Sequence, residues 1–434
     1  TMLSLMGWGA AASALGFQQA LEPAAITLRI QEVAWELAPR RTVRTTAYNG
    51  QVPGPFLRLP EGKPVTVEVQ NDTGREELVH WHGLRIPSDV DGAYEEGTPA
   101  VPPRGSRRYT FTPTPAGTRW YHTHIPSGRN LRIGTYTGQF GLMVVEPASD
   151  PGRYDLEVPL LLHEWDAAFT REGPHDIEYK LFSINGHLLG AGEPIRVRPS
   201  QRVLFRVVNA SATLHHRLAL AGHRFRVVAL DGNPLPRPAL VPRIELSPGE
   251  RVDAIVEMNN PGVWILGELN DAQRSAGMGV VVEYREAHGP PRWLPPAAGD
   301  WDYAAFAEPG TAAAPDERLP LVIRQPEGST RWTINGQSHP QTTPLHVELG
   351  RRYRLIFDNQ SAEAHPMHLH RHNFEMVRFN QRPLSGIFKD VVIVPAWKQV
   401  EVDFIADNPG PTLLHCHQQF HMDSGLMTMI HYSG

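Results

Sequence analysis

The sequence has a single cysteine, no long hydrophobic run and no excess of positive charge. Cys416 is the only cysteine among 434 residues, so no disulfide forms within this chain and a disulfide-stabilised fold is excluded. No apolar run in the body of the chain reaches the roughly 20 residues that a membrane-spanning helix needs. Lysine and arginine total 41 against 46 acidic residues, and the resulting net charge of -5 argues against nucleic acid as a partner.

The composition is that of a folded protein rich in short strands. Hydrophobic residues make up 41% of the chain and charged residues 20%, which excludes disorder as its main character. The 38 glycines and 40 prolines interrupt the chain with turns, and this pattern favours many short strands over long helices. We therefore predict an all-β protein, and its length predicts about three domains.

The first residues of the chain have a composition of their own. Residues 2–17 read MLSLMGWGAAASALGF, an apolar and small-residue-rich segment typical of the hydrophobic region of an export signal. The chain begins at Thr1 and the usual basic segment is missing, so a short helix packed on the body is the alternative. We expect residues 1–20 to be an export-signal remnant and the protein to be periplasmic or extracellular.

Three parts of the chain are similar to one another. Aligning Asn71, Asn209 and Asn359 superposes NDTGREELVHWHG, NASATLHHRLALA and NQSAEAHPMHLHR without a gap. A second match joins GTRWYHTH (117–124), GVWILGEL (262–269) and GPTLLHCH (410–417). Repeats of this size, with alternating strands and frequent turns, predict three consecutive Greek-key β-sandwich domains. Their expected bounds are 21–147, 148–288 and 316–434.

A long connection separates the second repeat from the third. Residues 287–320 are rich in proline, alanine and glycine, and they include Trp293, Trp301 and Tyr303. A free tether has no need of aromatic anchors, so we expect the linker, residues 289–315, to be a strap docked on the surface.

Four histidine pairs of the form His-x-His stand in matching positions of the repeats, two in the first repeat and two in the third. Residues i and i+2 of a strand point to the same side, so each pair can present two imidazoles to one place. A single pair is more often a packing feature, but four pairs in matching positions predict a metal cluster between the first and third domains. The histidines are His80, His82, His122, His124, His368, His370, His415 and His417, and the aligned middle-repeat residues are Leu218, Leu220, Gly267 and Leu269.

A second metal site is predicted around Cys416. His365 and His421 accompany it, and a thiolate with two imidazoles is the ligand set of a blue-copper site. The alternative reading of a buried cysteine is a small hydrophobic residue, which does not explain its histidine neighbours. The other repeats align Thr123 and Glu268 with the cysteine and so cannot build this site. His215 aligns with His365, and we expect it to be structural.

The segments HWHG (80–83), HTH (122–124), HPMHLH (365–370) and HCHQQFH (415–421) closely resemble the four copper signatures of three-domain multicopper oxidases of the laccase type. The resemblance covers roughly residues 26–431. It implies three cupredoxin-like domains and four copper ions. Type 1 copper would be held by His365, Cys416 and His421, and type 2 copper by His80 and His368. The type 3 pair would be held by His82, His122, His124, His370, His415 and His417.

The resemblance also implies an activity. A laccase-like oxidase removes single electrons from a reductant at type 1 copper and passes four electrons to dioxygen at the trinuclear cluster, releasing water. The 10 methionines form no methionine-rich insertion of the kind found in metal-oxidising relatives, so phenols or aromatic amines are the favoured reductants. Bilirubin and cuprous ion remain open as reductants.

Two other classes of protein compete with this reading. A non-enzymatic copper-binding or assembly protein would have lost ligands, and none is missing here. A copper nitrite reductase with an extra domain would not need all four histidine pairs. We expect dioxygen as the oxidant, no nucleic-acid partner, no membrane span and a monomer.

Two positions depart from many bacterial relatives. Leu426 stands where those relatives have a methionine ligand on the axis of type 1 copper, and Met427 is the alternative ligand if the loop shifts by one residue. Met422 stands where they have a glutamate that supplies protons to the cluster.

Asp91 matches, by resemblance, the acid that relatives place beside type 2 copper, and together with Cys416 we expect it to be catalytic. Its alternative role is to form the turn before Gly92. Asp89, Glu95 and Glu96 are expected to form a solvated acidic loop.

Overall fold

The structure is a computed structural model that describes residues 25–147, 154–170, 176–310 and 312–433. The expected export-signal remnant, residues 1–20, lies outside these ranges. No helix within them is long and apolar enough to cross a membrane. The described chain is almost entirely β-structure, arranged in three consecutive cupredoxin-like domains, so the predicted fold class is confirmed.

The first domain is a sandwich of two four-stranded sheets. In β4 the side chains of Val65, Val67 and Val69 point into the core, because successive residues of a strand face opposite sides. The elements are β1 (Ala25–Ala38), β2 (Arg41–Tyr48), β3 (Leu57–Pro60), β4 (Val65–Asn71), β5 (Val79–His82), α1 (Ser88–Asp91), β6 (Ser106–Phe111), β7 (Gly117–Thr123) and β8 (Phe140–Glu146), with 3-10 turns at Tyr94–Glu96 and Gly134–Tyr136. The sheet orders are β2-β1-β4-β6 and β3-β8-β7-β5.

The second domain pairs a six-stranded sheet with a five-stranded one. Its elements are β9 (Leu156–Trp165), β10 (Ala168–Phe169), β11 (Ile177–Glu178), β12 (Leu181–Ile184), β13 (Ile195–Val197), β14 (Arg202–Asn209), β15 (His216–Leu220), β16 (Phe225–Leu230), β17 (Asn233–Val241), β18 (Ile244–Leu246), β19 (Arg251–Glu257), β20 (Val263–Glu268), α2 (Asp271–Ser275) and β21 (Gly279–Tyr284). The sheet orders are β12-β9-β14-β19-β16-β17 and β13-β21-β20-β15-β18, and β10 and β11 form a separate small hairpin.

The third domain repeats the plan. Its elements are β22 (Glu317–Arg324), β23 (Thr333–Ile334), β24 (Leu345–Val347), β25 (Arg352–Asn359), β26 (His365–Leu369), β27 (Phe374–Phe379), β28 (Arg382–Pro383), β29 (Phe388–Lys389), β30 (Val391–Val394), β31 (Gln399–Ile405), β32 (Thr412–Cys416), α3 (Gln419–Asp423) and β33 (Met427–Tyr432). The sheet orders are β23-β22-β25-β31-β27-β28, with β29 also paired to β27, and β24-β33-β32-β26-β30.

The connection between the second and third domains is packed against both. A 3-10 turn at Tyr303–Ala305 buries Tyr303 and Phe306 in one apolar cluster with residues of both domains. The ring of Tyr303 also contacts that of Phe379 at a centroid distance of 5.0 Å. The strap thus fills a seam between two sandwiches, because its aromatic side chains supply apolar surface that both domains cover.

The turn after the aligned asparagine of each repeat is one residue longer in the middle domain. Asn71 and Asn359 each donate from Nδ2 to the carbonyl of the residue four positions later. Asn209 donates instead to the carbonyl of Leu214, five positions later. The gap-free alignment of the three repeats is therefore wrong at this turn, and every later position of the middle repeat up to the end of β15 shifts by one.

The sheet ladders show the same shift. Leu218 pairs with Glu268 in the middle domain, as Val79 pairs with Thr123 and Met367 with Cys416 in the others. The structural counterpart of His365 is consequently His216, and the expectation of His215 at that place is wrong. The counterparts of the first histidine pair are Ala219 and Ala221, corrected from Leu218 and Leu220, and alanine carries no metal ligand either.

Candidate metal centres

Eight buried histidines from the first and third domains lie together, and we call them the histidine cluster. They lie in β5 and in or just after β7 on one side, and in or just after β26 and β32 on the other, where the ladder sets His80 opposite His122 and His368 opposite His415. The structure brings all eight predicted cluster residues together. Ligand atoms within 4.8 Å of one another form three groups: His80, His82 and His368; His82, His122 and His417; and His124, His370 and His415.

Ring nitrogens of the cluster face one another both across the domain interface and within each domain. The nitrogen separations are 3.4 Å for His80 Nε2 and His368 Nε2, 3.3 Å for His417 Nε2 and His82 Nδ1, 3.4 Å for His82 Nδ1 and His122 Nε2, and 3.0 Å for His370 Nε2 and His415 Nε2.

Seven of the eight cluster histidines favour the neutral imidazole. Burial lowers the pKa of His370 to about 4 and that of His417 to about 3, and the neighbouring histidines add to the effect. Burial also lowers the pKa values of His82, His122, His124, His368 and His415 well below the usual range. Neutral imidazoles offer a lone pair, and among the described residues His124 Nε2 and His417 Nδ1 have no hydrogen-bond partner. This donor set fits copper ions.

The outward nitrogens of the cluster are oriented by carbonyl and carboxylate oxygens. Such contacts fix the ring and the nitrogen that faces a metal. The partners are the carbonyl oxygens of Asp91 for His80 (2.9 Å), Asp390 for His368 (2.8 Å), Thr123 for His122 (2.8 Å) and Cys416 for His415 (2.9 Å), and the carboxylates of Asp390 for His82 (3.0 Å) and Asp91 for His370 (2.8 Å).

His365, Cys416 and His421 form a second buried group, which we call the thiolate site. The Cys416 Sγ atom lies 3.8 Å from His365 Nδ1 and 3.7 Å from His421 Nδ1. Burial raises the pKa of the Cys416 thiol, so a coordinating cation is needed to hold it as thiolate. Trp332 packs its ring on both histidines, with centroids at 4.5 and 4.7 Å. Sequence reasoning missed Trp332, which lies outside the two aligned motifs of the repeats.

Leu426 is the backbone neighbour of Cys416 on the adjoining chain segment. Leu426 is fully buried in the same apolar cluster as Cys416, and its carbonyl accepts a hydrogen bond from the Cys416 amide at 3.0 Å. Met427 starts the next strand and packs with Met422 and Leu413 in a separate cluster. Adjacent residues of an extended chain point to opposite sides, which explains the separation.

Leu426→Met is expected to lower the reduction potential of copper bound at the thiolate site, because a thioether donates to the oxidised ion and leucine cannot. Met427→Leu is the matched control and is expected to leave the potential unchanged. Redox titration of the blue absorption measures both. A rise in potential in Met427→Leu, with no fall in Leu426→Met, would mean that Met427 is the thioether ligand.

Asp91 ends α1 and is fully buried against the histidine cluster. Its Oδ2 atom lies 2.8 Å from His370 Nδ1 and 3.2 Å from His80 Nδ1. Burial raises the pKa of Asp91, but the charge of His80 and the hydrogen bonds from both histidines hold it well below its usual range. The side chain therefore points at the cluster, while Gly92 makes the turn with φ of 107°.

The acidic loop after Asp91 is only partly solvated. Asp89 is exposed and Glu95 is partly exposed, but Glu96 is 2% exposed, so the expectation of a solvated residue is wrong for Glu96. The Leu413 amide donates to Glu96 Oε1 at 2.8 Å. Burial and the charge of Asp91 raise the pKa of Glu96 well above its usual range. The two buried carboxyls thus have pKa values shifted in opposite directions, and they lie near the apolar cluster that holds Met422.

The middle domain has a charged counterpart of the thiolate site. His216 and Glu268 occupy the places of His365 and Cys416, with His216 Nδ1 3.1 Å from Glu268 Oε2. His216 Nε2 bonds Glu164 on the other side of the ring. The two carboxylates thus lie on opposite nitrogens and do not converge as metal ligands. Burial alone would lower the pKa of His216, but hydrogen bonds to the two glutamates raise it to about 9.

His216 is expected to make the stability of the protein depend on pH. Its pKa in the folded state is about 9 against an unfolded value of 6.5, so its stabilisation is complete below pH 6.5 and is lost as the pH rises through 9. The shift corresponds to about 3 kcal/mol. Chemical denaturation at several pH values should show this loss, and His216→Gln should abolish it. His215→Gln is the control, and an unchanged pH profile in His216→Gln would contradict the assignment.

Models of the multicopper oxidase family match this chain at residues 29–150, 163–281 and 314–433. The multicopper oxidase MmcO of Mycobacterium tuberculosis is 30% identical, covering 90% of this chain and 83% of its own. Laccase-3 of Thanatephorus cucumeris is 24% identical, covering 90% and 88%.

Among solved structures, a multicopper oxidase from Pseudomonas thermotolerans superposes with a TM-score of 0.77 at 25% identity, covering 95% of this chain and all of its own. The matched ranges contain all four histidine pairs and the thiolate site. The chain therefore belongs to the multicopper oxidase family, is of the laccase type, and is an oxidoreductase that uses oxygen.

Proposed function

We propose that the protein is a laccase-like oxidase of phenols or aromatic amines. One type 1 copper in the thiolate site would take single electrons from the reductant, and one type 2 and two type 3 coppers in the histidine cluster would reduce dioxygen to water. His80 and His368 would hold type 2 copper, and the other six histidines the type 3 pair. The observation that carries this proposal is the connection between the two sites through Cys416.

Cys416 joins the two sites through the backbone. Its neighbours His415 and His417 belong to different groups of the histidine cluster, the first with His370 and the second with His82. His415 Nδ1 also lies 2.9 Å from the carbonyl oxygen of Cys416, which adds a hydrogen-bonded contact to the covalent one. An electron entering at the thiolate therefore has a short route to either half of the type 3 pair, while the reductant and dioxygen stay apart.

The outer edge of the thiolate site carries a carboxylate. His421 Nε2 lies 2.9 Å from Glu363 Oε2, and the Glu363 side chain is 43% exposed. A reductant arriving from solvent meets this carboxylate next to a copper ligand. Glu363 can accept the proton that a phenol or aromatic amine releases when it loses an electron.

Glu363 also favours the second candidate function, oxidation of cuprous or other metal ions. A carboxylate attracts a cation to the edge of His421. Met422 and Met427, however, are buried in their own cluster and offer no thioether to a cuprous ion at the surface. A non-enzymatic copper-binding role has no such observation in its favour.

Oxygen uptake by the copper-loaded protein tests the proposed function. A phenol and cuprous ion are supplied separately at matched concentrations, and phenol is expected to sustain uptake without accumulation of hydrogen peroxide. Glu363→Gln should slow both reactions, more strongly for cuprous ion if the metal is the preferred reductant. Glu348→Gln changes an exposed glutamate of the same domain that pairs with Arg351, and serves as control. A blue protein that consumes oxygen with cuprous ion but not with phenol would overturn the proposal.

We also propose that the protein works outside the cytoplasm as a monomer. The apolar, small-residue-rich composition of residues 2–17 supports export, because it is typical of an export signal. Cell fractionation and size-exclusion chromatography with light scattering measure the compartment and the mass.

A further inference from the structure

The middle domain supplies no histidine to the cluster, yet it contacts the cluster closely. A Cβ atom on Gly249 would lie 2.7 Å from the Cδ2 atom of His417, so the backbone of Gly249 is packed against this ring. Two residues later, Arg251 begins β19 and is fully buried. Its side chain points toward the third domain.

Arg251 forms a bidentate ion pair with a carboxylate of the third domain through both terminal nitrogens of its guanidinium group. Arg251 Nη1 donates to Asp390 Oδ1 at 2.5 Å, and Nη2 donates to Asp390 Oδ2 at 2.6 Å. Both side chains are fully buried. Paired N–H donors fix the plane and the direction of a carboxylate, which a lysine ammonium does not do.

Asp390 in turn contacts two histidines of the cluster. Its Oδ1 atom lies 3.0 Å from His82 Nε2, and its carbonyl oxygen lies 2.8 Å from His368 Nδ1. These contacts leave His82 Nδ1 and His368 Nε2 facing the other cluster histidines. The orientation of both rings thus depends on where Asp390 is held.

No other described side chain holds the Asp390 carboxylate in this way. Arg119 Nη1 is 3.7 Å from Asp390 Oδ2, outside hydrogen-bond distance, and its own bonds go to the Asp231 carbonyl and other oxygens. Asp231 accepts hydrogen bonds from the amides of Asp390 and Val391, which position the backbone but not the carboxylate.

We propose that Arg251 is a positioning residue for the metal cluster. Through the Asp390 carboxylate it orients His82 for one type 3 copper. Through its bonds to Asp231, which holds the Asp390 amide, it steadies His368 for type 2 copper. The middle domain thus controls the geometry of a site to which it gives no ligand. This inference rests on the copper assignments of the proposed function.

Copper retention and spectra of Arg251→Lys test the inference without any reductant present. The lysine keeps the positive charge but loses the paired donors, so the cluster should release copper to a chelator roughly 10- to 100-fold more readily. The near-ultraviolet absorption of the type 3 pair and the type 2 electron paramagnetic resonance signal should change, whereas the blue absorption of the thiolate site should not.

Arg206→Lys is the matched control. Arg206 is a buried arginine of the same domain, paired with Asp253 and Glu157, and it contacts none of the eight cluster histidines. Its change should leave the cluster spectra and copper retention as in the wild type. Asp390→Asn keeps the size of the side chain and should reproduce the selective loss seen in Arg251→Lys.

Wild-type copper retention and spectra in both Arg251→Lys and Asp390→Asn would refute the inference. Equal losses in Arg251→Lys and Arg206→Lys would also refute it, because general destabilisation would then explain the result. A wild-type protein that binds the cluster coppers but oxidises no phenol would contradict the proposed function and leave the Arg251 measurements valid.

Discussion

Cys416→Ser is expected to abolish the blue absorption and the oxidation of every reductant while the protein still folds. A hydroxyl group does not supply the soft thiolate bond that holds copper at this site, and the electron loses its entry point to His415 and His417. No oxidation of any reductant should be detectable. Absorption spectroscopy, copper analysis and oxygen uptake measure the three effects.

The fold should tolerate this change because the same place already holds a hydroxyl in the first domain. Thr123 is the ladder counterpart of Cys416, and it is fully buried there. The histidine cluster of Cys416→Ser should therefore still bind its copper ions, and this retention is the internal control. A blue colour that persists in the variant would show that Cys416 is not the ligand.

Asp91→Asn is expected to retain all four coppers and normal reduction of the thiolate site, but to slow reoxidation of the reduced enzyme by dioxygen. Oxygen reduction consumes protons, and an amide cannot relay them as a carboxylate does. Loss of an acid-base group commonly costs roughly 100-fold or more, so a slowing of that order is expected. Stopped-flow mixing of reduced protein with oxygen measures the rate.

Asp89→Asn is the matched control for this change. Asp89 belongs to the same short helix but is exposed, so its variant should reoxidise at the wild-type rate. Glu96→Gln removes the buried carboxyl next to Asp91 and should also slow reoxidation if the two acids share the proton. A wild-type rate in Asp91→Asn would leave Asp91 with a structural role only.

The cluster residues could be predicted because their pattern is local. His-x-His at alternate positions of a strand points two rings to one side, and repetition in two of three repeats separates the cluster histidines from the others. The same reasoning failed at the turn after Asn209, because one added residue in a loop leaves no mark in composition or alternation. The hydrogen bond from Asn209 to the Leu214 carbonyl and the ladder between Leu218 and Glu268 reveal it.

The residues around the cluster were not predictable for a different reason. Arg251 and Asp390 are 139 residues apart and belong to different domains, and neither lies in a repeated motif. Glu96 resembled its exposed neighbours in sequence. Its burial depends on the packing of the 3-10 turn Tyr94–Glu96 against Leu413 of the third domain. Contacts of this kind follow from how whole domains dock, which periodicity along one strand does not encode.

The counterpart of the thiolate site in the middle domain defines a design route to a second blue-copper site. The three domains place Glu77 and Thr123, His216 and Glu268, and His365 and Cys416 at one equivalent spot. In the middle domain a cysteine at 268 and a histidine at 273, three residues into the region matching α3, would complete the ligand set. Glu164 would have to become apolar, since a carboxylate bound to His216 would compete with the ion. The protein would then carry two blue centres on one scaffold.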